Sequence, residues 1–316
     1  MPLVHQIQKR AKLSKWCRFY MPTDLPIKIE GFSKNYGSSP AVEDLTLMVE
    51  KGEVFGFLGP NGAGKSTTIK SILNFLTPSD GKISIFGLDS VKSSVEIKKH
   101  IGYLAGDISL YDSMSGLQLI RYLTRLGRST NWTYVEKLAK SLQISLEAKI
   151  GTLSKGNKQK IGLIQAFMHQ PALLILDEPT SGLDPLMKQI FYEMVLEMKQ
   201  MGNSIFVSSH DLNEVQTICD KVAFIKSGKL IGIENIKEDF DFTIRRYTVT
   251  FKQPIDTQKF KGINSVSDIT QNENKVTVTV TGNVSEFLSK ISNLHPIDLS
   301  EEDTNLEDVF MKYYEV

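Results

Sequence analysis

The chemistry of this chain is most legible in the run Gly59, Pro60, Asn61, Gly62, Ala63, Gly64, Lys65, Ser66 and Thr67. A phosphate group is held by a concave set of backbone N–H groups, and glycines let a chain wrap that closely because they bring no Cβ. The run follows the apolar stretch VFGFL and precedes a helical pattern over 66–76, which points the positive end of a helix at the anion. At this spacing Lys65 supplies a point charge to the β/γ-phosphates of a nucleotide, and the Ser66 hydroxyl is a ligand for Mg²⁺. The plainer alternative is a glycine turn with a surface lysine, and the strand before and helix after weigh against it.

A phosphate cradle names no reaction by itself. The segment LLILDE, residues 173–178, puts Asp177 at the end of a buried strand, where a carboxylate is costly unless it meets a cation or donors. Mg²⁺ on a bound nucleotide would be that partner. Glu178 comes next along the chain, so it can face a water near the γ-phosphate and act as general base. Taken alone, the pair could be two solvated acids at a strand end; following the loop at 59–67, they read as a metal ligand and a base.

The elements that must position these residues alternate along the chain. Residues 27–58 read as strands broken by turns at Gly37–Pro40 and Lys51–Glu53, and KISIFG follows the breaker Pro78–Gly81 as a short strand. Helical patterns occupy 114–146 and 157–169, then LLIL is a strand. A helix near 185–201, the strand SIFVSS, a helix from about 211 and the strand VAFIK continue the alternation. Strands alternating with helices imply a largely parallel sheet with helices on both faces. Past residue 240 the character changes. YTVTF and KVTVTVT have the period of two expected of a half-exposed antiparallel sheet, with helical stretches near 284–292 and 305–314.

Composition bounds the answer. Of 316 residues, 41% are hydrophobic and 23% charged, which excludes a largely disordered chain. No apolar run approaches the roughly 18 residues a spanning helix needs. Two cysteines, Cys17 and Cys219, are too few for a disulfide framework or zinc cluster and suggest a reducing setting. Residues 1–20 carry five basic side chains and no acid, leaving 32 basic and 36 acidic groups in the rest. The body is mildly acidic, so nucleic acid is not an expected partner. The basic leader lacks a continuous apolar core, which argues against a secretory signal. It reads as a solvated tail, with weak attraction to anionic lipid as the alternative.

Three further segments make the order of motifs recognisable: LSKGNKQ at 153–159, SGLDP at 181–185 and SSHD at 208–211. Across about residues 27–235 this order resembles the ATP-binding subunits of ABC (ATP-binding cassette) transporters. LSKGN is similar to the family's LSGGQ signature with a lysine and an asparagine substituted. The resemblance implies that Ser154, Gly156 and Asn157, at a helix start, complete the ATP pocket of an opposite subunit in a head-to-tail dimer; in isolation Ser154 is an ordinary N-cap. It also implies that His210 contacts the γ-phosphate, that Asp184 belongs to the loop that signals across the dimer, and that Tyr36 stacks on adenine, with a turn tyrosine as the alternative. After IGYL the family normally has a glutamine that joins Mg²⁺ and the attacking water to the membrane subunit. Here Gly106 stands in its place, and either Asp107 or water takes over at the metal. NLEDVFMKYY, residues 305–314, resembles the tail of drug- and antibiotic-exporter ATPase subunits and is otherwise an amphipathic helix.

The expected architecture is therefore α/β: a P-loop ABC ATPase domain over 27–238, with a mostly parallel sheet and a helical subdomain, then a small α+β accessory domain over 239–316, behind a basic and disordered extension at 1–26. The expected function is ATP hydrolysis with Mg²⁺ that powers export through a separate transmembrane permease, by a homodimer or paired subunit, peripheral on the cytoplasmic face of the cell membrane. Two rivals are a soluble ABC ATPase acting on ribosomes or nucleic acid and a slow-turnover ATP-sensing module, the latter suggested by Gly106. Lys65→Ala removes the charge on the terminal phosphates. ATP affinity and hydrolysis should both collapse with the fold intact, and hydrolysis at the wild-type rate would overturn the reading of residues 59–67.

Overall fold

The computed structural model describes residues 25–126, 130–236, 244–260, 263, 265–281 and 284–302. Of the extension expected at 1–26 only Leu25 and Pro26 are described, and the helix expected at 305–314 lies outside the described residues. The centre of the fold is a six-stranded sheet. Its members are β3 (Val54–Leu58), β6 (Ile101–Leu104), β7 (Leu173–Asp177), β8 (Ser204–Ser209), β9 (Lys221–Lys226) and β10 (Lys229–Asn235), in the order β10-β9-β3-β8-β7-β6. All neighbours pair in parallel except β10, which returns antiparallel on β9.

Strands β3, β7 and β8 are buried along their whole length. Such strands must be apolar on both faces, which is why LLIL and VFGFL read as continuous runs rather than alternating ones. Alternate residues nevertheless serve different cores. Val54, Leu58, Leu174, Leu176, Ile205 and Val207 pack on the helical side. Phe55, Phe57, Leu173, Ile175 and Phe206 pack on the other. The helical side holds α3 (Gly116–Arg125), α4 (Trp132–Ser141), α5 (Lys155–Phe167), α6 (Pro185–Gln200) and α7 (Leu212–Ile218). The opposite side holds α1 (Lys65–Ile72), α2 (Ser94–Lys98) and a second sheet.

Helices therefore lie on both faces of the central sheet, as expected, and the second sheet shares the side of α1 and α2. Strands β1 (Ile27–Tyr36), β2 (Ser39–Val49), β4 (Asp80–Ile85) and β5 (Leu88–Asp89) form an antiparallel sheet in the order β2-β1-β4-β5. The cause is visible in β2, where Leu45, Leu47 and Val49 are buried and their neighbours Thr46 and Met48 exposed. A strand with one wet face belongs to a one-sided antiparallel sheet. Among the described residues no helix is long and apolar enough to cross a membrane.

A third sheet follows: β11 (Ile244–Thr250), β12 (Val266–Asn272), β13 (Lys275–Thr281) and β14 (Asp298–Glu302), ordered β12-β13-β11-β14 and antiparallel throughout. Val249, Val276, Val278 and Val280 share one buried face with Phe287 and Ile291 of α8 (Val284–Ser292). The Tyr247 and Phe287 rings stack with centroids 5.2 Å apart. This unit has its own core. Its two edge strands, VSDITQN and DLSEE, are too polar to be recognised as strands without their partners.

Close packing of helix on sheet is testable at Gly102, inside β6. A Cβ there would lie 2.2 Å from the Ala166 carbonyl of α5 and 2.7 Å from Pro171. Gly102→Ala must push α5 off the sheet, at a cost of about 1–3 kcal/mol. A lower urea midpoint is expected; an unchanged midpoint would show that α5 is not seated this closely.

Candidate functional site

Parallel pairing decides where the chemistry collects. Leu58 lies opposite Ser209, and Asp177 opposite Ser208. The chain leaves β3, β7 and β8 at one edge of the sheet, where loops of open α/β sheets bind ligands. Gly59–Thr67, Glu178 and His210 all follow directly from these strand ends.

The loop is shaped by close backbone approach. A Cβ on Gly59 would lie 2.3 Å from the Ile225 carbonyl, and one on Gly64, at φ 108°, 2.8 Å from the Ala41 carbonyl. Gly62, at φ 81°, faces open space where its side chain would be. Pro60, Asn61 and Ser66 are exposed and Ala63 is buried against the antiparallel sheet. Helix α1 begins at Lys65 with no side-chain cap, so its first N–H groups are left for an anion. The Lys65 side chain is only 5% exposed. Its Nζ donates to the Gly59 carbonyl at 2.7 Å and the Pro60 carbonyl at 3.2 Å, and lies 3.4 Å from Glu178 Oε1.

Glu178 is the junction. Its φ of 47° is in the left-handed region, uncommon for a residue with a side chain. The Glu178 N–H donates to the Ser208 carbonyl and to Ser208 Oγ, each at 3.2 Å, which fixes that turn. Its Oε1 therefore meets Lys65 Nζ and His210 Nδ1, both at 3.4 Å. Next to it Asp177 is buried, and Ser208 Oγ donates to its Oδ1 at 2.6 Å. The Tyr103 hydroxyl is pushed up to about 12 by burial and by the charge of Asp177.

These residues fit a triphosphate and a divalent ion. The loop offers glycines that tolerate no Cβ, an uncapped helix start and a buried ammonium. Asp177 and Ser66 are hard oxygen donors of the kind Mg²⁺ takes. Among the described residues no three His, Cys, Asp or Glu side chains gather to hold a metal alone. That suits Mg²⁺, which binds through one or two protein ligands plus substrate phosphates.

Other sequence-derived residues are placed as follows. Tyr36 is exposed, at the end of the hairpin that leads into Ala41 and the loop. Ser154 caps α5, accepting from Asn157 N at 3.3 Å. Gly156 sits so close to the segment 179–184 that a Cβ would be 2.7 Å from the Gly182 carbonyl, and Gln159 donates to the Pro179 carbonyl at 2.8 Å. Asp184 caps α6, accepting from Met187 N at 2.9 Å. Asp107 is exposed, whereas Gly106 lies against Asp177: a Cβ there would be 3.3 Å from Asp177 Oδ2. Ser208, Thr180 and Glu214 were not anticipated. Only strand register brings Ser208 to Asp177, and register is not written in a single strand.

Comparison with known proteins finds likenesses over most of the chain. The family model described as ABC transporter matches residues 42–181. NatA of Bacillus subtilis, an ABC transporter ATP-binding protein, is 40% identical over 197 residues, 60% of this chain and 80% of NatA. LnrL of Bacillus subtilis, a linearmycin resistance ATP-binding protein, is 29% identical over 302 residues, 90% of this chain and 97% of LnrL. A solved structure of an ATP-binding subunit of an ABC transporter superposes with a TM-score of 0.62 at 29% identity, covering 67% of this chain and 90% of that one.

Ser208→Ala tests the support of the buried carboxylate. Removing the donor leaves Asp177 Oδ1 without its hydroxyl partner, so stability should fall by about 1–3 kcal/mol in denaturant unfolding. An unchanged midpoint would mean that the hydroxyl does not hold Asp177.

Proposed function

The chain belongs to the ATP-binding proteins of ABC transporters, and on that premise we propose that it hydrolyses ATP with Mg²⁺ to power export through a separate membrane permease. The observation that carries the catalytic part is the convergence of Lys65 Nζ and His210 Nδ1 on one carboxylate oxygen of Glu178, each at 3.4 Å. The N–H groups of Asn61, Gly62, Gly64, Lys65, Ser66 and Thr67 cradle the phosphates, while those of Gly59 and Ala63 donate to the Ser209 and Pro60 carbonyls and hold the shape of the loop. Lys65 gives its charge to the β/γ-phosphates. Asp177 and Ser66 would hold Mg²⁺, which would supply charge neutralisation on the phosphate oxygens. As phosphate takes up the Lys65 ammonium, Glu178 is released from that pairing to accept a proton from water. His210 presents its ring to the γ-phosphate and Tyr36 its face to adenine.

The remaining residues serve a second copy. Ser154, Gly156 and Asn157 complete the pocket of an opposing subunit, and Asp184 carries the state of one site towards the other. Support comes from the tight fit of Gly156 against Gly182, which makes the start of α5 and the 179–184 segment one mechanical unit. Asp107 is the candidate ligand replacing the family glutamine. The site works on the cytoplasmic face of the membrane, the ATP-binding domain spanning 27–238 and the accessory domain 239–316. Export as the direction is our inference from the likeness to LnrL, a linearmycin resistance ATP-binding protein, over 90% of this chain.

Glu178→Gln keeps shape and removes the base. Hydrolysis should fall by roughly 10²–10⁴-fold with ATP still bound, and light scattering in Mg-ATP should show a mass near two chains. A fully active variant would overturn the role of Glu178, and a persistent monomer would count against the paired site.

A further inference from the structure

A buried acid outside the proposed mechanism closes the floor of the same site. A cleft of about 280 Å³ is lined by Glu178, Ser181, Gly182, Lys188, His210 and Glu214, among others. Glu214 is only 1% exposed and sits in the first turn of α7. Its Oε2 accepts from Ser209 Oγ at 2.6 Å and from Thr180 Oγ1 at 3.2 Å. Its Oε1 is buried without a hydrogen-bond partner. Ser209 immediately precedes His210, and Thr180 opens the segment that runs through Ser181, Gly182 and Leu183 to Asp184.

We propose that Glu214 is a positioning residue for hydrolysis: its carboxyl ties the His210 strand end to the Thr180–Asp184 segment, so that both walls of the cleft keep a fixed relation to Glu178. The proposal rests on the reading of Glu178 and His210 as hydrolytic residues. Packing alone does not account for an acid here. An apolar side chain would fill the space without stranding a carboxylate oxygen, and a buried acid with one unpartnered oxygen costs stability. What the carboxyl provides and an apolar side chain cannot is an acceptor shared by two hydroxyls from different segments. The anchor is itself fixed, because Asp211 caps α7 through Asn213 and Glu214 N–H groups and pairs with Lys188 of α6 at 3.2 Å.

Charge adds a separate signature. Burial pushes the Glu214 carboxyl up to about 7, against the pull of the Ser209 and Thr180 hydroxyls. Asp211 raises it further and Lys188 lowers it. Tyr192 and the buried Cys219 feel its charge in turn, and Glu178 and His210 face the same cleft. With the folded value above the ordinary 4.5, the stability linked to this group is full below about 4.5 and is lost as pH rises through about 7.

The test compares Glu214→Leu, Glu214→Gln and wild type as full chains. Glu214→Leu removes the shared acceptor, and kcat for ATP should fall on the order of 10- to 100-fold with nucleotide affinity unchanged. Glu214→Gln keeps an acceptor and should recover most of kcat. Its melting temperature relative to wild type should rise between pH 5 and pH 8, because only wild type pays for ionising the buried group. Wild-type kcat in a folded Glu214→Leu chain would overturn the proposal, as would a Gln variant as slow as Leu. If Glu214→Leu does not fold, Thr180→Val deletes one donor alone, and the same fall in kcat at constant nucleotide affinity is expected; unchanged kcat overturns the proposal. A wild-type chain with no ATP hydrolysis would instead remove the hydrolytic reading on which this inference rests.

Discussion

An ammonium group almost cut off from solvent sets the terms for the rest of this site. Lys65 Nζ lies among the Gly59 and Pro60 carbonyls and the Glu178 carboxylate. A buried cation is tolerated only while oxygens surround it, so the loop, the strand end carrying Glu178 and the start of α1 must keep a common geometry. The same requirement suits the group to the phosphate-binding role proposed for it. Oxygens of a triphosphate can replace those of the chain without leaving the charge unpaired.

Strand pairing delivers that geometry over long sequence distances. Residues 59, 178 and 210 are neighbours because β3, β7 and β8 run parallel with fixed register, Leu58 beside Ser209 and Asp177 beside Ser208. The backbone then turns the side chains. Glu178 would continue the alternation of β7 if extended; its left-handed φ of 47° swings the carboxylate to Lys65 and His210 instead. Strain of this kind, of order 1–3 kcal/mol, persists where the surroundings enforce it, and here the Ser208 carbonyl and hydroxyl do so. Rigidity on one side of the site thus permits a reactive arrangement on the other.

Much of this was legible in the sequence because its causes are local. A glycine-rich turn between an apolar strand and a helix is readable without any long-range information, and a charged pair after LLIL marks the end of a buried strand. The helix at 155–167 is likewise announced by Ser154 as its cap. What escaped depends on contacts between distant residues. The antiparallel sheet of residues 27–89 requires β4 to return beside β1, and the polar strands β12 and β14 exist only as partners of β13 and β11. Glu214 looks, in sequence, like an acid favouring the start of a helix; its burial under two hydroxyls follows from tertiary structure alone. Gly106 reads in sequence as a missing side chain. In the structure its backbone lies beside Asp177, where a Cβ would sit 3.3 Å from the carboxylate and need a shift of only a few tenths of an ångström.

The account's central claim is that one phosphate site is assembled from the Lys65 loop and the ends of β7 and β8. The most direct measurement is a crystal structure of the full chain with Mg²⁺ and a non-hydrolysable ATP analogue. The account predicts the triphosphate wrapped by residues 59–67, its terminal phosphate against Lys65, and Glu178 and His210 facing that phosphate. A nucleotide bound elsewhere, or a terminal phosphate remote from Glu178 in the assembled complex, would contradict it.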